Sequence, residues 1–356
     1  MSSDGHFGFR ANLLLCGVFA LGVGAAVLCP AQDVPPGGPP ARARVVTVED
    51  SRATDAFAAR PQIVHEMLRR AILKFTGKTN VAAAWQSLLS PKDVVGLKVY
   101  SEPGANSGTR PAVVEAVLQG LLQSGLPPTN IIIWDKRLVD LRLAGFNSLA
   151  DRYNVRLAGS FNSGYDDKVF YDNPVVGSLV AGDLEFDRDG AKTGRKSYVS
   201  QLLTRTLTKI ISVAPLLNHN VAGVCGHLYS VSMGSIDNTI RFEAAAEPLA
   251  RAVPEVYALP AVGDHVVLCI TDALIGQYQG EQLSLLHYST ELNQIWLSKD
   301  PVASDVLAVQ ELDRERQARN ILSLGGNAAL FQNAALLELG VADPAKIRLD
   351  PVRPTP

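Results

Sequence analysis

From Lys209 to Phe242 the chain reads KIISVAPLLNHNVAGVCGHLYSVSMGSIDNTIRF. An apolar run at 210–213 leads past Pro215 into a segment where Asn218, His219, Asn220, His227, Tyr229, Asp237, Asn238 and Arg241 crowd among glycines and serines. Core packing does not require that much polarity. His219, His227 and Asp237 together could bind a divalent transition metal, two imidazoles and a carboxylate being a common ligand set. His219 with Asp237 could instead act as a general acid–base pair. Each histidine taken alone also reads as a structural hydrogen-bonding residue, and the two lack the i, i+4 spacing of a helical metal pair. Gly223 and Gly226 let backbone approach a ligand, or simply serve turns.

Other candidates stand where buried strands end. In open parallel sheets ligands gather beyond the carboxyl ends of the strands. Those ends carry Lys98 and Glu102, Asp135 and Lys136, His219, and Asp272. Lys98 would hold an anionic group, Asp135 would join His219 and Asp237 in catalysis, and Asn218, His227, Asp272 and Asp300 would contact ligand. A carboxylate at a strand end serves equally as a cap or loop anchor, so the weight lies on convergence: these residues are expected to face one cleft. Neither G-x-G-x-x-G nor a P-loop is present, and Asn218-His219-Asn220 lacks the hydroxyl of a nucleophile elbow.

Alternating strands and helices must position these groups. Apolar residues at 63, 64, 67, 68, 71, 72 and 75 give a helix over 61–75, opened by Pro61. Strands are expected at 94–99, 130–134, 153–157, 175–180, 209–213 and 266–270. A polar insertion is expected at 164–173, and helices at 111–124, 197–207, 301–316 and 328–339. Asp300 before Pro301 is an N-cap signal. The pattern is α/β: a mainly parallel sheet flanked by helices, in Rossmann-like strand–helix–strand units.

Residues 1–31 read as a signal peptide, with Arg10 before an uncharged apolar run at 11–28 and small residues at Cys29 and Ala31. The run of about 18 residues would otherwise serve as a membrane anchor. The expected location is therefore periplasmic or extracellular. Residues 32–45, rich in Pro and Gly, read as a linker, and 46–352 as a single α/β domain. A net charge of −2 leaves nucleic-acid binding without a basic footprint. The expected partner is a small molecule, with membrane contact only through an uncleaved N-terminus. Past the leader only Cys225 and Cys269 remain, enough for one disulfide. The absence of CxxC pairs leaves no iron–sulfur cluster encoded.

Five blocks carry a resemblance: VGLKV at 95–99, NIIIWD at 130–135, ITDAL at 270–274 with Gly280, DPVASD at 300–305 and LGV at 339–341. In this order they resemble the bacterial and archaeal proteins grouped as domain of unknown function 362, over roughly residues 46–349. That family's central signature runs approximately L-K-x-H, G-V-T, L-K-N-L and a glycine. The chain supplies Leu216, His219, Gly223, Val224, Leu228 and Gly234, with Leu217 and Tyr229 at the two lysine positions, Cys225 for the threonine and Ser230 for the asparagine. The resemblance implies an α/β fold and a site near this segment, and names no reaction. If the family's lysines hold an anion, this chain lacks two of those donors. Two expectations stand: an exported enzyme acting on a small anionic ligand, with or without a metal, or a non-catalytic extracytoplasmic protein binding a metal or small molecule.

Overall fold

The run Ile131-Ile132-Ile133-Trp134 shows why the sheet is covered on both faces. Ile131 and Ile133 pack into one apolar cluster, and Ile132 and Trp134 into another on the opposite side. Each fully buried isoleucine contributes about 1.5–3 kcal/mol relative to an exposed one. Such two-sided burial belongs to a parallel sheet between helical layers. The computed structural model describes residues 43–280, 283–323 and 325–352. The leader (1–31) and linker residues 32–42 lie outside the described residues. Ala43, Arg44 and Val45, expected in the linker, instead begin the strand Ala43–Glu49, which pairs with a neighbouring strand on each side.

Across the central sheet the strand order is Ile347–Val352, Ala43–Glu49, Ser289–Ser298, Val266–Gln277, Lys209–His219, Val95–Val99, Ile131–Asp135 and Arg156–Gly159. Ser289–Ser298 runs antiparallel to its two neighbours, and the remaining pairs along this path are parallel. The fold is α/β with a mainly parallel sheet. From Val95–Val99 the chain steps outward through Ile131–Asp135 to Arg156–Gly159. It then returns to the other flank of Val95–Val99 with Lys209–His219. The strand order therefore reverses at Val95–Val99.

One face is covered by Pro61–Thr76, Pro111–Gln123 and Phe146–Tyr153. Val64, Met67, Leu68, Ala71 and Ile72 form the buried stripe of the first of these. Pro61 begins that helix, and Gly77 ends it at φ +68°, a conformation glycine adopts without Cβ strain. The other face is covered by His227–Ser235, Ala246–Tyr257, Pro301–Gln317 and Ala328–Leu336. Every residue of His227–Ser235 is buried, so the polar segment expected to line a site is a central core helix. Its first N–H groups, on His227 and Leu228, donate to the Asp305 carboxylate at 2.7 and 2.8 Å. Among the described residues no helix is long and apolar enough to cross a membrane.

The structure departs from the expected elements in three places. Residues 164–173, expected as an insertion, and 197–207, expected as a helix, belong largely to a hairpin of Tyr165–Ser178 paired with Thr193–Ser200, followed by one wide helical turn at Leu202–Thr206. The strand expected at 153–157 is Arg156–Gly159, because Tyr153 still closes the preceding helix. Cys225 and Cys269 are buried thiols and are not joined in a disulfide. Cys225 Sγ instead contacts Asn218 O.

Candidate functional site

Lys98 occupies a strand position where its neighbours Leu97 and Val99 are fully buried, and it is itself 0% exposed. Its side chain lies on the Trp134 face of the sheet, with Nζ 5.4 Å from the centre of that ring. An ammonium buried there must fill all three of its donors. Nζ donates to Asp135 Oδ1 at 2.8 Å, Ser230 Oγ at 2.8 Å and Val99 O at 2.7 Å. Gly234 makes room for it: a Cβ there would lie 2.4 Å from Lys98 Cε. Burial lowers the Lys98 pKa, and Asp135 opposes that shift.

Asp135, the last residue of its strand, is equally occupied. Oδ1 accepts from Lys98 Nζ and from Lys136 N, and Oδ2 accepts from Ser101 N and Ser101 Oγ, both at 2.7 Å. Two strand ends and the core helix are thus tied into one buried polar knot.

A cleft of about 170 Å³, open to solvent, lies over this knot. The strand ends supply Tyr100, Glu102, Asp135 and Lys136; the core helix supplies Tyr229, Ser230, Met233 and Gly234. Phe161, Tyr165 and the turn Val180-Ala181 close one side, and Thr239, Ile240 and Glu243 another. The site therefore sits at the carboxyl ends of parallel strands, next to the point where strand order reverses, as open α/β sheets favour.

Charge around the cleft is predominantly acidic. Glu102, Asp140, Asp183 and Glu243 face Lys136 and Arg137, while Asp135 is matched by Lys98. Burial, then the neighbouring Asp140 carboxylate, raises the pKa of Glu102 although much of the residue remains exposed. Burial and then Asp135 raise that of Asp140. Burial lowers that of half-buried Lys136, against the attraction of Glu243. Among the described residues, the half-buried side chains of Asp140 and Glu243 make no hydrogen bond or ion pair.

The expected metal and acid–base set is dispersed. His219 Nδ1 accepts from Val221 N and Ala222 N at 3.2 and 3.0 Å, which makes Nε2 the protonated nitrogen of a neutral ring. That ring packs on Tyr229 at 4.4 Å, and burial lowers its pKa to about 4. His227 has both nitrogens engaged by hydroxyls, Ser212 Oγ at 2.8 Å and Thr271 Oγ1 at 3.0 Å, and burial takes it to about 3. Asp237 Oδ2 accepts from Leu184 N at 2.7 Å, and Oδ1 accepts from Tyr198 N. Burial pushes Asp237 up to about 7 against the pull of those two N–H groups. Among the described residues, no three His, Cys, Asp or Glu side chains are grouped to hold a metal ion. His219, His227 and Asp237 do not fit a metal, and His219 with Asp237 is not an acid–base pair.

Asp237 instead begins a clasp. It ties the strand Thr193–Ser200, through Tyr198, to the connection between the two hairpin strands, through Leu184. The next residue, Asn238, donates its N–H to Asp183 Oδ1 and its Nδ2 to Lys196 O, each at 2.9 Å. Arg241 Nη2 donates to Ser197 Oγ, and its Nη1 to Asn173 O. The polar crowd at 237–241 fastens the hairpin over the core and so sets the cleft wall at Val180–Asp183.

Most of the expected ligand contacts lie elsewhere. Lys98 is sealed beneath the cleft and cannot meet an anion. Asn218 is buried at a tight turn, where its Nδ2 donates to Asn220 Oδ1. Asp272 stands near the same rim, but its carboxylate is closed by Arg110, with N and Nη1 at 2.8 and 3.1 Å. Asp300 lies at the opposite rim, because Ser298 pairs with Cys269 near the amino end of the adjacent strand. There it caps Pro301–Gln317 through Ala303 N and also accepts from Val341 N. Of the residues expected to form the site, only Asp135 lines the cleft, although Glu102 and Lys136 had been placed at the same strand ends. Tyr100, Tyr165, Ser230 and Thr239 were missed as site residues, and nothing in their spacing distinguishes them from core aromatics and structural hydroxyls, whereas Tyr229 and Asn238 stood in the polar crowd at 218–241 without a role.

No family model matches the chain, and no curated protein matches it. Among solved structures, it is similar to a Thermotoga maritima protein whose crystal structure came from the Northeast Structural Genomics Consortium. The two are 13% identical, with a TM-score of 0.41, over 75% of this chain and 61% of that one. This chain thus spans about three-fifths of the length of that protein.

Proposed function

We propose that the strand-end cleft is the working site of an enzyme acting on one small, polar, neutral or positively charged molecule. The observation that carries this reading is the cleft's unspent polarity: Asp140 and Glu243 are half-buried there without partners among the described residues, above charges that are fully satisfied. Such carboxylates offer hydrogen-bond acceptors to hydroxyl or amino groups. Glu102 and Asp140, both raised in pKa by burial, hold a proton more readily than free carboxyls and stand where they can exchange one with a bound molecule. An anionic ligand, expected from Lys98, loses its basis once that lysine is engaged by Asp135, Ser230 and Val99.

The resemblance to the domain of unknown function 362 belongs to this proposal. Gly234 and Leu228, both signature positions, sit on the helix that borders the cleft. Export through the apolar segment at 11–28 is proposed with it. Mass spectrometry of mature protein beginning at Gln32 supports export, and an intact Met1 on soluble cytoplasmic protein contradicts it.

A ligand-observed NMR screen with size-matched polyols, amines and carboxylic acids tests the site. Polyols or amines should bind the wild type and fail to bind Ala181→Trp, which fills the cleft from an exposed wall position. Preferential binding of the acids, or binding undiminished in Ala181→Trp, overturns the reading. Turnover of a hit separates an enzyme from a binding protein.

A further inference from the structure

Two lysines stand at adjacent strand ends in opposite surroundings. Lys98 is wholly buried and spends its three donors on three acceptors. Lys136 is half-buried on the cleft wall, and among the described residues its amine has one hydrogen-bond partner, Thr239 Oγ1, and no carboxylate within ion-pair distance. Its backbone is held on both sides: N–H donates to Asp135 Oδ1 at 2.8 Å, and C=O accepts from Phe161 N at 3.0 Å. The side chain is thus launched into the cleft from a fixed point, as a reacting group requires.

Resting on the cleft reading above, we infer that Lys136 is the cleft's nucleophilic amine, which adds to the carbonyl carbon of a small hydroxylated aldehyde or ketone and condenses with it to an imine. The nitrogen lone pair forms the C–N bond, and the carbonyl π pair moves to oxygen, which is protonated to give a carbinolamine. That hydroxyl departs as water with the second amine proton, so amine plus carbonyl yields imine plus water. Glu102 and Asp140 on the same cleft are the groups that deliver and recover these protons. Thr239 orients the amine by accepting one of its hydrogens, leaving the lone pair to the substrate. Desolvation favours the neutral amine and Arg137 assists it, while Glu243, Asp183 and Asp237 oppose. The acidic surroundings select a neutral hydroxylated carbonyl compound over a 2-oxo acid.

Reductive trapping tests the inference. Full-length protein is incubated near neutral pH with dihydroxyacetone and cyanoborohydride, and adducts are located by peptide mass spectrometry. Lys136 should carry at least about tenfold more adduct than the exposed Lys78 and Lys92. The preference should vanish in urea and fall in Ala181→Trp, while Lys136→Arg should melt like the wild type and leave labelling of Lys78 and Lys92 unchanged. Uniform labelling, or stronger trapping of pyruvate than of dihydroxyacetone at Lys136, overturns it. Binding in the NMR screen without preferential labelling of Lys136 sinks this inference and leaves the cleft reading standing. Absence of both removes the two together.

Discussion

Lys98 and Asp135, at the ends of adjacent parallel strands, form an ion pair at 2.8 Å in which both partners are buried. The two residues differ in what remains if the other is lost. Without Lys98, Asp135 still accepts from Ser101 N, Ser101 Oγ and Lys136 N. Without Asp135, the buried ammonium keeps Ser230 Oγ and Val99 O but loses its counter-charge, and two backbone N–H groups, of Ser101 and Lys136, lose their acceptor.

Asp135→Ala should therefore destabilise the fold by about 3–5 kcal/mol, and Lys98→Met by about 1–3 kcal/mol. Urea unfolding of the two variants checks the order. A Lys98→Met cost equal to or above that of Asp135→Ala would show that the carboxylate does not organise the knot.

Asp237→Asn replaces an acceptor of two backbone N–H groups by an amide that can accept at one oxygen only. The hairpin should loosen locally, with faster amide exchange at Leu184 and Tyr198 and weaker ligand binding, at a cost of about 1–3 kcal/mol. Hydrogen exchange read by mass spectrometry measures this directly. Unchanged protection of both amides contradicts the clasp.

His219 titrates near 6.5 when unfolded and at about 4 in the fold, because burial disfavours its charged form. As pH falls below 6.5 the unfolded chain takes up a proton that the folded ring refuses, so this contribution to stability is full above 6.5, shrinks as pH falls, and levels off below 4. Between about pH 7.5 and about pH 5 the wild type should lose about 2 kcal/mol relative to His219→Gln. A pH-independent difference between the two proteins rules out a buried neutral imidazole.

Asp300→Ala removes the acceptor for Ala303 N at the start of a long helix and for Val341 N beyond it. It should cost about 1 kcal/mol or slightly more and leave ligand binding intact, since the residue lies at the rim opposite the cleft. Loss of binding at unchanged stability would return Asp300 to the site.

Local pattern reveals elements whose own residues decide them. The stripe from Val64 to Ile72, the Pro61 start and the Asp300 cap are all read within one helical length. The hairpin is not so read. Tyr198, Val199, Leu202 and Leu203 have helical spacing, and only pairing with the distant 165–178 strand makes 193–200 extended. Pairing of Ala43–Glu49 with Ile347–Val352 joins opposite ends of the described chain, beyond any local signal.

The site was misread for a related reason. Residue type shows that a side chain can do chemistry, whereas burial and partners decide whether any capacity is left. Lys98, His227, Asp237 and Asp272 each have that capacity taken up by tertiary neighbours. Glu102 and Lys136, flagged by position alone, keep more of it.

The most direct measurement is amide chemical-shift mapping on full-length protein with the tightest polyol or amine from the screen. Shifts concentrated at Glu102, Lys136, Tyr229 and Asn238, and absent in Ala181→Trp, are the predicted result. Shifts gathered instead at Arg44, Ser298, Lys299 and Asp300, which line a groove at the opposite rim, would contradict the account.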